Sequence, residues 1–320
     1  MKKGISLIVL VITIIVIIIL AGAVILSLSL NNPIAAAKEA NFKASLTGYN
    51  DELSMSISSQ YANVMGNIDL NSINTITNDE LKQYIKNISD SDISKYRIVK
   101  SKLTYIGSNL NEMQWAKDLN ISLEVPYIKD GLVIWYDGIY NGGIGVHNDN
   151  NSLNKSKWID LSGNINDGNL YNFDFTKNNG WGDSFLNYGL DTSNVMPTQK
   201  MTYSTVQVVY ETAGSGWNYI IDARTDVSDG WVAICSAFGS SYLRPYKDGI
   251  IDSTSVPLPN NRKVYLSIKC NPTANVMPTI GARYSKNESI MGKTYCVRIY
   301  NRLLTEQEIA YNNEIDKIRY

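Results

Sequence analysis

The chain has 320 residues, room for a membrane-spanning helix and about two domains. Its 29 basic and 30 acidic side chains leave a net charge of -1, and charged residues make up 18% of the total. No basic cluster follows Lys2 and Lys3, so the electrostatic footprint of a nucleic-acid-binding protein is missing and no nucleic-acid partner is expected.

Residues 5–30 carry no charge. A helix of about 26 residues reaches roughly 39 Å, more than the hydrocarbon core of a bilayer. Two lysines precede the run and none lies inside it, which predicts Met1 on the cytoplasmic side and everything after residue 30 outside. A cleavable secretory signal competes through Ala21-Gly22-Ala23, but its apolar core spans about 7 to 15 residues and this run continues well beyond. A plain membrane anchor is the other competitor.

Lys2-Lys-Gly-Ile-Ser-Leu-Ile-Val-Leu10 resembles the leader of type IV prepilins, a short basic segment ending in glycine just before a hydrophobic helix. The resemblance implies cleavage by a prepilin peptidase between Gly4 and Ile5 and N-methylation of the new Ile5 amine. It also implies other pilin subunits and the pilus assembly machinery as partners. The family usually places a glutamate five residues after the cut, where it neutralises a neighbouring subunit's amine; this chain has Val9 there. An unpaired amine in an apolar filament core is costly. Val9 therefore points to a minor subunit at the filament tip.

Past Asn31-Asn32-Pro33, Phe42, Leu46, Tyr49, Leu53, Ile57, Tyr61 and Val64 recur at spacings of three and four and predict an amphipathic helix. A juxtamembrane coiled coil would show a longer stripe and an e/g charge ladder. Residues 66–126 read as a small α/β head. Thr77-Asn-Asp-Glu80 is a capping box before a helix of about three turns carrying Leu81, Tyr84, Ile85 and Ile88. A short hairpin over 96–100 and 103–106 follows, then a helix over 111–119 expected to bury Trp115 and Leu119. Helical periodicity ends between Pro126 and Gly131. The organisation expected is a leader over 1–4, a spanning and amphipathic helix over 5–65, the head over 66–126 and a β-sandwich over 127–320.

Candidate strands lie at 132–136, 205–210, 219–223, 231–237, 263–270, 279–284 and 293–300, which argues a β-sandwich or jelly roll and makes the whole chain α+β. Three segments resemble the laminin-G-like, concanavalin A-like jelly rolls of bacterial surface proteins. They are Gly131-Leu-Val-Ile-Trp-Tyr-Asp-Gly138, Trp158-Ile-Asp-Leu-Ser-Gly-Asn-Ile-Asn-Asp-Gly168 and Gly292-Lys-Thr-Tyr-Cys-Val-Arg-Ile-Tyr-Asn-Arg-Leu-Leu-Thr-Glu-Gln-Glu-Ile309. In the last, Thr305 suits the N-cap of a terminal helix.

That superfamily includes glycoside hydrolases, which need paired carboxyls about 5 to 9.5 Å apart. The region's glutamates, Glu211, Glu288, Glu306, Glu308 and Glu314, form no acid-x-acid strand motif, and no Gly-x-Ser-x-Gly elbow occurs. No enzymatic activity is expected on these grounds. Sugar recognition uses aromatic faces with amide and carboxylate rims. Trp181, Trp217, Trp231, Tyr242, Arg244 and Tyr246, near turns or among polar neighbours, are the candidate ligand-binding residues, with core and edge packing as the competing role. The superfamily often holds calcium; Asp137, Asp149, Asp160 and Asp167 would supply some of its six to eight oxygens, although Asp-Gly and Asn-Gly pairs are also ordinary turn vocabulary. His147 lies in a Gly- and Asn-rich loop without zinc-ligand spacing. Cys235, Cys270 and Cys296 sit on strand-like runs, where core packing is the first reading and one disulfide at most is available.

The function expected is a minor, tip-located type IV pilin-like subunit displaying a lectin-like domain for adhesion to glycan or host-surface ligands. A secretion pseudopilin or a static surface protein is the alternative. The expected location is a single pass in the cytoplasmic membrane before assembly, with the C-terminal domain outside, then the cell surface or pilus.

Overall fold

The computed structural model describes residues 14–18, 33–64, 69, 73–75, 77–149, 151–152, 156–170, 190–191, 204–212, 218–222, 233–236, 243–247, 250–251, 262–270, 279–280 and 292–320. The chain divides into two compact units, Met1–Pro126 and Tyr127–Tyr320. One long helix and several antiparallel sheets make it an α+β protein.

In the first unit, α1 (Pro33–Asn63) buries Phe42, Leu46, Tyr49 and Leu53. Spacings of four, three and four residues put these on one face. The expected stripe ends there: Ile57 is half-buried, and Tyr61 and Val64 are exposed. The rest of the unit is α2 (Asn78–Tyr84), a 3-10 turn (Ile93–Lys95), strands β1 (Tyr96–Val99) and β2 (Lys102–Tyr105), α3 (Leu110–Asp118) and β3 (Ser122–Leu123), of which α2, β2 and α3 pack on α1. Phe42 meets the rings of Tyr105 and Trp115 at 5.9 and 5.6 Å, and Tyr49 meets Tyr96 at 5.8 Å. Thr77 caps α2 by accepting from the Glu80 amide. That helix runs two turns rather than three, because Ile85 leaves helical geometry while staying buried. Past its end, the amides of Lys86 and Asn87 donate to the Glu52 carboxylate of α1 at 2.8 and 3.2 Å.

Strands β1 and β2 pair antiparallel, and Lys100 and Ser101 between them both have positive φ, 49° and 60°. Two central residues at positive φ mark a type I′ hairpin turn. Strand β3 adds to β2 in parallel after α3 crosses over. The α3 helix starts at Leu110, capped by Asn109, whose side chain accepts from the Asn111 and Glu112 amides. It buries Met113 and Ala116, whereas Trp115 and Leu119, expected in the core, are half-buried.

Among the described residues, the second unit holds two antiparallel sheets. One runs β13-β8-β15-β4, formed by β4 (Leu132–Asp137), β8 (Ser204–Thr212), β13 (Val264–Cys270) and β15 (Gly292–Tyr300). The other runs β12-β11-β10-β9-β14-β7-β6-β5. Its strands are β5 (Lys157–Trp158), β6 (Gly168–Asn169), β7 (Leu190–Asp191), β9 (Asn218–Asp222), β10 (Ala233–Ser236), β11 (Leu243–Lys247), β12 (Ile250–Ile251) and β14 (Thr279–Ile280). Every residue of β4 is buried, as are Thr205 to Tyr210 of β8, so both faces of these two strands are covered. The helix α4 (Glu306–Arg319) opens on a complete capping box: the Glu308 amide donates to the Thr305 hydroxyl, and the Thr305 amide donates to the Glu308 carboxylate. Arg302 adds a second pair of hydrogen bonds to that carboxylate. These bonds hold the Glu308 carboxyl down at about 2, the Arg302 side chain contributing most.

The expected single-pass location in a membrane is overturned. Among the described residues, no helix is long and apolar enough to cross a membrane. The longest, α1, carries Lys38, Glu39, Lys43, Asp51 and Glu52. Of the apolar run at 5–30, residues 14–18 are described, as exposed helix. Gly4, Ile5 and Val9 lie outside the described residues.

Candidate functional site

Strand β4 is the edge of the four-stranded sheet, so its outer carbonyls and amides need partners from elsewhere. The Asn/Asp-rich segment after Trp158 supplies them. The Asp160 carboxylate accepts from the amides of Trp135, Ser162 and Asn166 at 2.9, 2.9 and 3.0 Å and from the Ser162 hydroxyl at 2.7 Å. The Val133 carbonyl accepts from Ser162 and Asn166, the Leu132 carbonyl from Asn164, and the Asp137 carbonyl from the Trp158 indole. The Leu161 amide donates to the Trp135 carbonyl. This segment is an edge cover built from short polar side chains. An Asp160→Ala variant should lose about 2 to 3 kcal/mol, the scale of buried hydrogen bonds to a charged group. Hydrogen exchange at the Trp135 amide, expected to speed up in the variant, is the check.

The four aspartates expected as calcium ligands all accept hydrogen bonds from the chain itself. Asp167 accepts from the Asp160 amide at 3.0 Å, and Asp149 closes a turn by accepting from the Asn151 amide at 2.9 Å. Asp137 is wholly buried, accepts from the amides of Ile139 and Tyr140, both at 2.9 Å, and pairs with Arg319 through two hydrogen bonds. Burial by itself pushes the Asp137 carboxyl up, but the Arg319 guanidinium and the turn amides outweigh it and hold it below the usual carboxylate range. Among the described residues, no group of three or more His, Cys, Asp or Glu side chains is placed to hold a metal ion. His147 sets Nδ1 3.3 Å from the Ile139 carbonyl.

Beneath α4 lies a second buried pair. Arg298 is 0% and Asp316 1% exposed; Nη1 and Nη2 of Arg298 reach the two carboxylate oxygens at 2.7 and 2.5 Å. The Tyr127 hydroxyl donates to Asp316 at 2.5 Å, and the Arg298 guanidinium lies 3.9 Å from the centre of the Tyr127 ring. Asn312 donates to Gln207 and to the Tyr300 hydroxyl. Cys296 is a buried free thiol whose sulfur accepts from Arg298 at 3.1 Å, and burial pushes the thiol up to about 12. A sequence signal for this cluster existed, a helix with Asn312, Asp316 and Arg319 at spacings of four and three, but its partners stand far away in the chain.

Of the expected ligand-binding residues, Trp181, Trp217, Trp231 and Tyr242 lie outside the described residues. Arg244 and Tyr246 fall two apart on β11, opposite Cys235 of β10 and Ile251 of β12. The strand order puts them at the β12 end of the eight-stranded sheet.

No family model matches the chain, and no curated protein matches it. Among solved structures, a mutant of Trypanosoma rangeli sialidase displaying trans-sialidase activity is similar over 62% of this chain and 36% of its own, at 15% identity and a TM-score of 0.41. Trypanosoma rangeli sialidase in complex with 2,3-difluorosialic acid is similar over 65% of this chain and 37% of its own, at 14% identity and 0.44. The binding domain of botulinum neurotoxin serotype C1 is similar over 60% of this chain and 53% of its own, at 10% identity and 0.37. The chain thus spans about a third of the sialidases' length. The expectation that it is no enzyme does not stand, since the structures it resembles include enzymes; at these identities and TM-scores the likeness assigns it no reaction either.

Proposed function

We propose that the chain is a type IV pilin-like subunit carrying a lectin-like jelly-roll domain over residues 127–320. The carrying observation is the one-sided packing of α1. Its middle buries a four-residue stripe on a small head, while its first turns, Pro33 to Lys38, are exposed. A helix with a bare first section is suited to packing on other subunits. The leader Lys2-Lys-Gly4 supplies the processing site, and Val9 in place of glutamate favours a minor, tip-located subunit. The two-sheet architecture of the second unit supports the jelly-roll reading. The ligand is a glycan or another surface molecule, held by Trp181, Trp217, Trp231, Tyr242, Arg244 and Tyr246.

Mass spectrometry of the mature protein should find N-methylated Ile5 as the first residue. An intact Met1 sinks the pilin reading. On a glycan array, the full chain should give saturable signals that fall when Arg244 and Tyr246 are both replaced by alanine; a background-level signal across the array removes the lectin reading.

A further inference from the structure

We propose that the small head carries a saccharide-binding groove of its own, separate from any site in the second unit. A cavity of about 390 Å³ opens between α1, the 3-10 turn and α3. That size lies within the range of ligand sites. On one side it is lined by Phe42 and the half-buried Trp115, whose rings are 5.6 Å apart. Asn41 and Asn111, both exposed, bring amide groups to its mouth.

The charges in the lining decide the ligand class. Lys38, Lys95, Asp92 and Glu112 sum to zero. Lys95 is already engaged by Glu112 at 3.0 Å and Asp92 at 3.2 Å. Glu112 is held further by the Tyr105 hydroxyl at 2.8 Å, and Asp92 by the Tyr49 hydroxyl at 3.0 Å. A phosphate or other multiply charged anion would meet as much negative as positive charge. A neutral polyhydroxylated ring fits better: its C–H face lies against an indole, and its hydroxyls exchange hydrogen bonds with amides and fixed carboxylates. Those carboxylates are positioned before any ligand arrives, so binding costs little side-chain ordering. The groove has room for a mono- or disaccharide.

The test follows the indole N–H signals of the uniformly 15N-labelled full chain, which has six tryptophans. The Trp115 signal is identified by its loss in Trp115→Phe. Lactose and N,N′-diacetylchitobiose are then titrated separately. One of them should shift the Trp115 signal saturably, with a dissociation constant on the order of 1 mM. The shift should weaken at least about tenfold in the double variant Asn41→Ala, Asn111→Ala, a change of roughly 1.4 kcal/mol. Both asparagines are exposed, so an unchanged Trp115 position in the free variant reports an intact head. A Trp115 signal that neither sugar moves overturns the groove. So does a response confined to other indoles, which would leave binding in the second unit standing.

Discussion

Asp316→Ala should destabilise the second unit by about 3 to 5 kcal/mol, read as a lower urea midpoint. The Arg298 guanidinium has no exposed surface, and Asp316 faces it through two hydrogen bonds. Removing the carboxylate leaves a buried positive charge beside the Cys296 sulfur and the Tyr127 ring, and strips the Tyr127 hydroxyl of its acceptor. The paired replacement Arg298→Met, Asp316→Leu should cost far less, because it removes both charges and their desolvation together. Equal losses in the single and paired variants would mean that shape, not charge, sets the effect. The neighbouring Arg319–Asp137 pair should respond to acid in a defined direction. Asp137 is depressed in the folded chain, so its contribution to stability is complete above the ordinary carboxylate range and fades as pH falls below it.

The features legible in the sequence are those that depend on a few adjacent residues. Thr77 and Thr305 announce their helices because a cap needs only the amide three positions on. The stripe Phe42, Leu46, Tyr49, Leu53 shows the packed face of α1, but Tyr61 and Val64 continue its period into solvent, because periodicity does not say where the head ends. The expectation that Trp115 and Leu119 are buried fails for a related reason: α3 turns Met113 and Ala116 to the core and leaves the indole at the lip of a groove. The I′ turn at Lys100 and Ser101 lacks the usual Asn-Gly signal, so only the flanking strands revealed the hairpin.

The site was harder to read because turn chemistry and ligand chemistry use the same residues. Asp160 serves as an edge cover because β4 is a border strand, and that depends on β15 pairing with it from far along the chain. Asp137 likewise depends on Arg319, a partner no local window contains. The expected membrane span follows from the uncharged run at 5–30 and the lysines before it, and the expected lack of catalysis from the missing carboxylate pair and nucleophile elbow; none of these is a statement about folded geometry.

Leu46→Ala should destabilise the head by about 2 to 5 kcal/mol, the cost of a cavity at a site with no exposed surface. Leu46 sits at the centre of the α1 stripe, between Phe42 and Tyr49, so its loss loosens the contact from which α2, β2 and α3 take their positions. Hydrogen exchange at the β1–β2 amides should accelerate, because that hairpin packs on the same face. Met55→Ala, on the same helix but 66% exposed, should stay within about 0.5 kcal/mol in the isolated chain. The contrast also bears on assembly. If α1 packs on neighbouring subunits in a filament, exposed residues such as Ile34 become buried there, and Ile34→Asp should abolish incorporation while leaving the unassembled chain as stable as before. Leu46→Ala should do the reverse, weakening the fold first and assembly only through it. A variant at Ile34 that assembles normally would remove the bare first turns of α1 as the surface other subunits use.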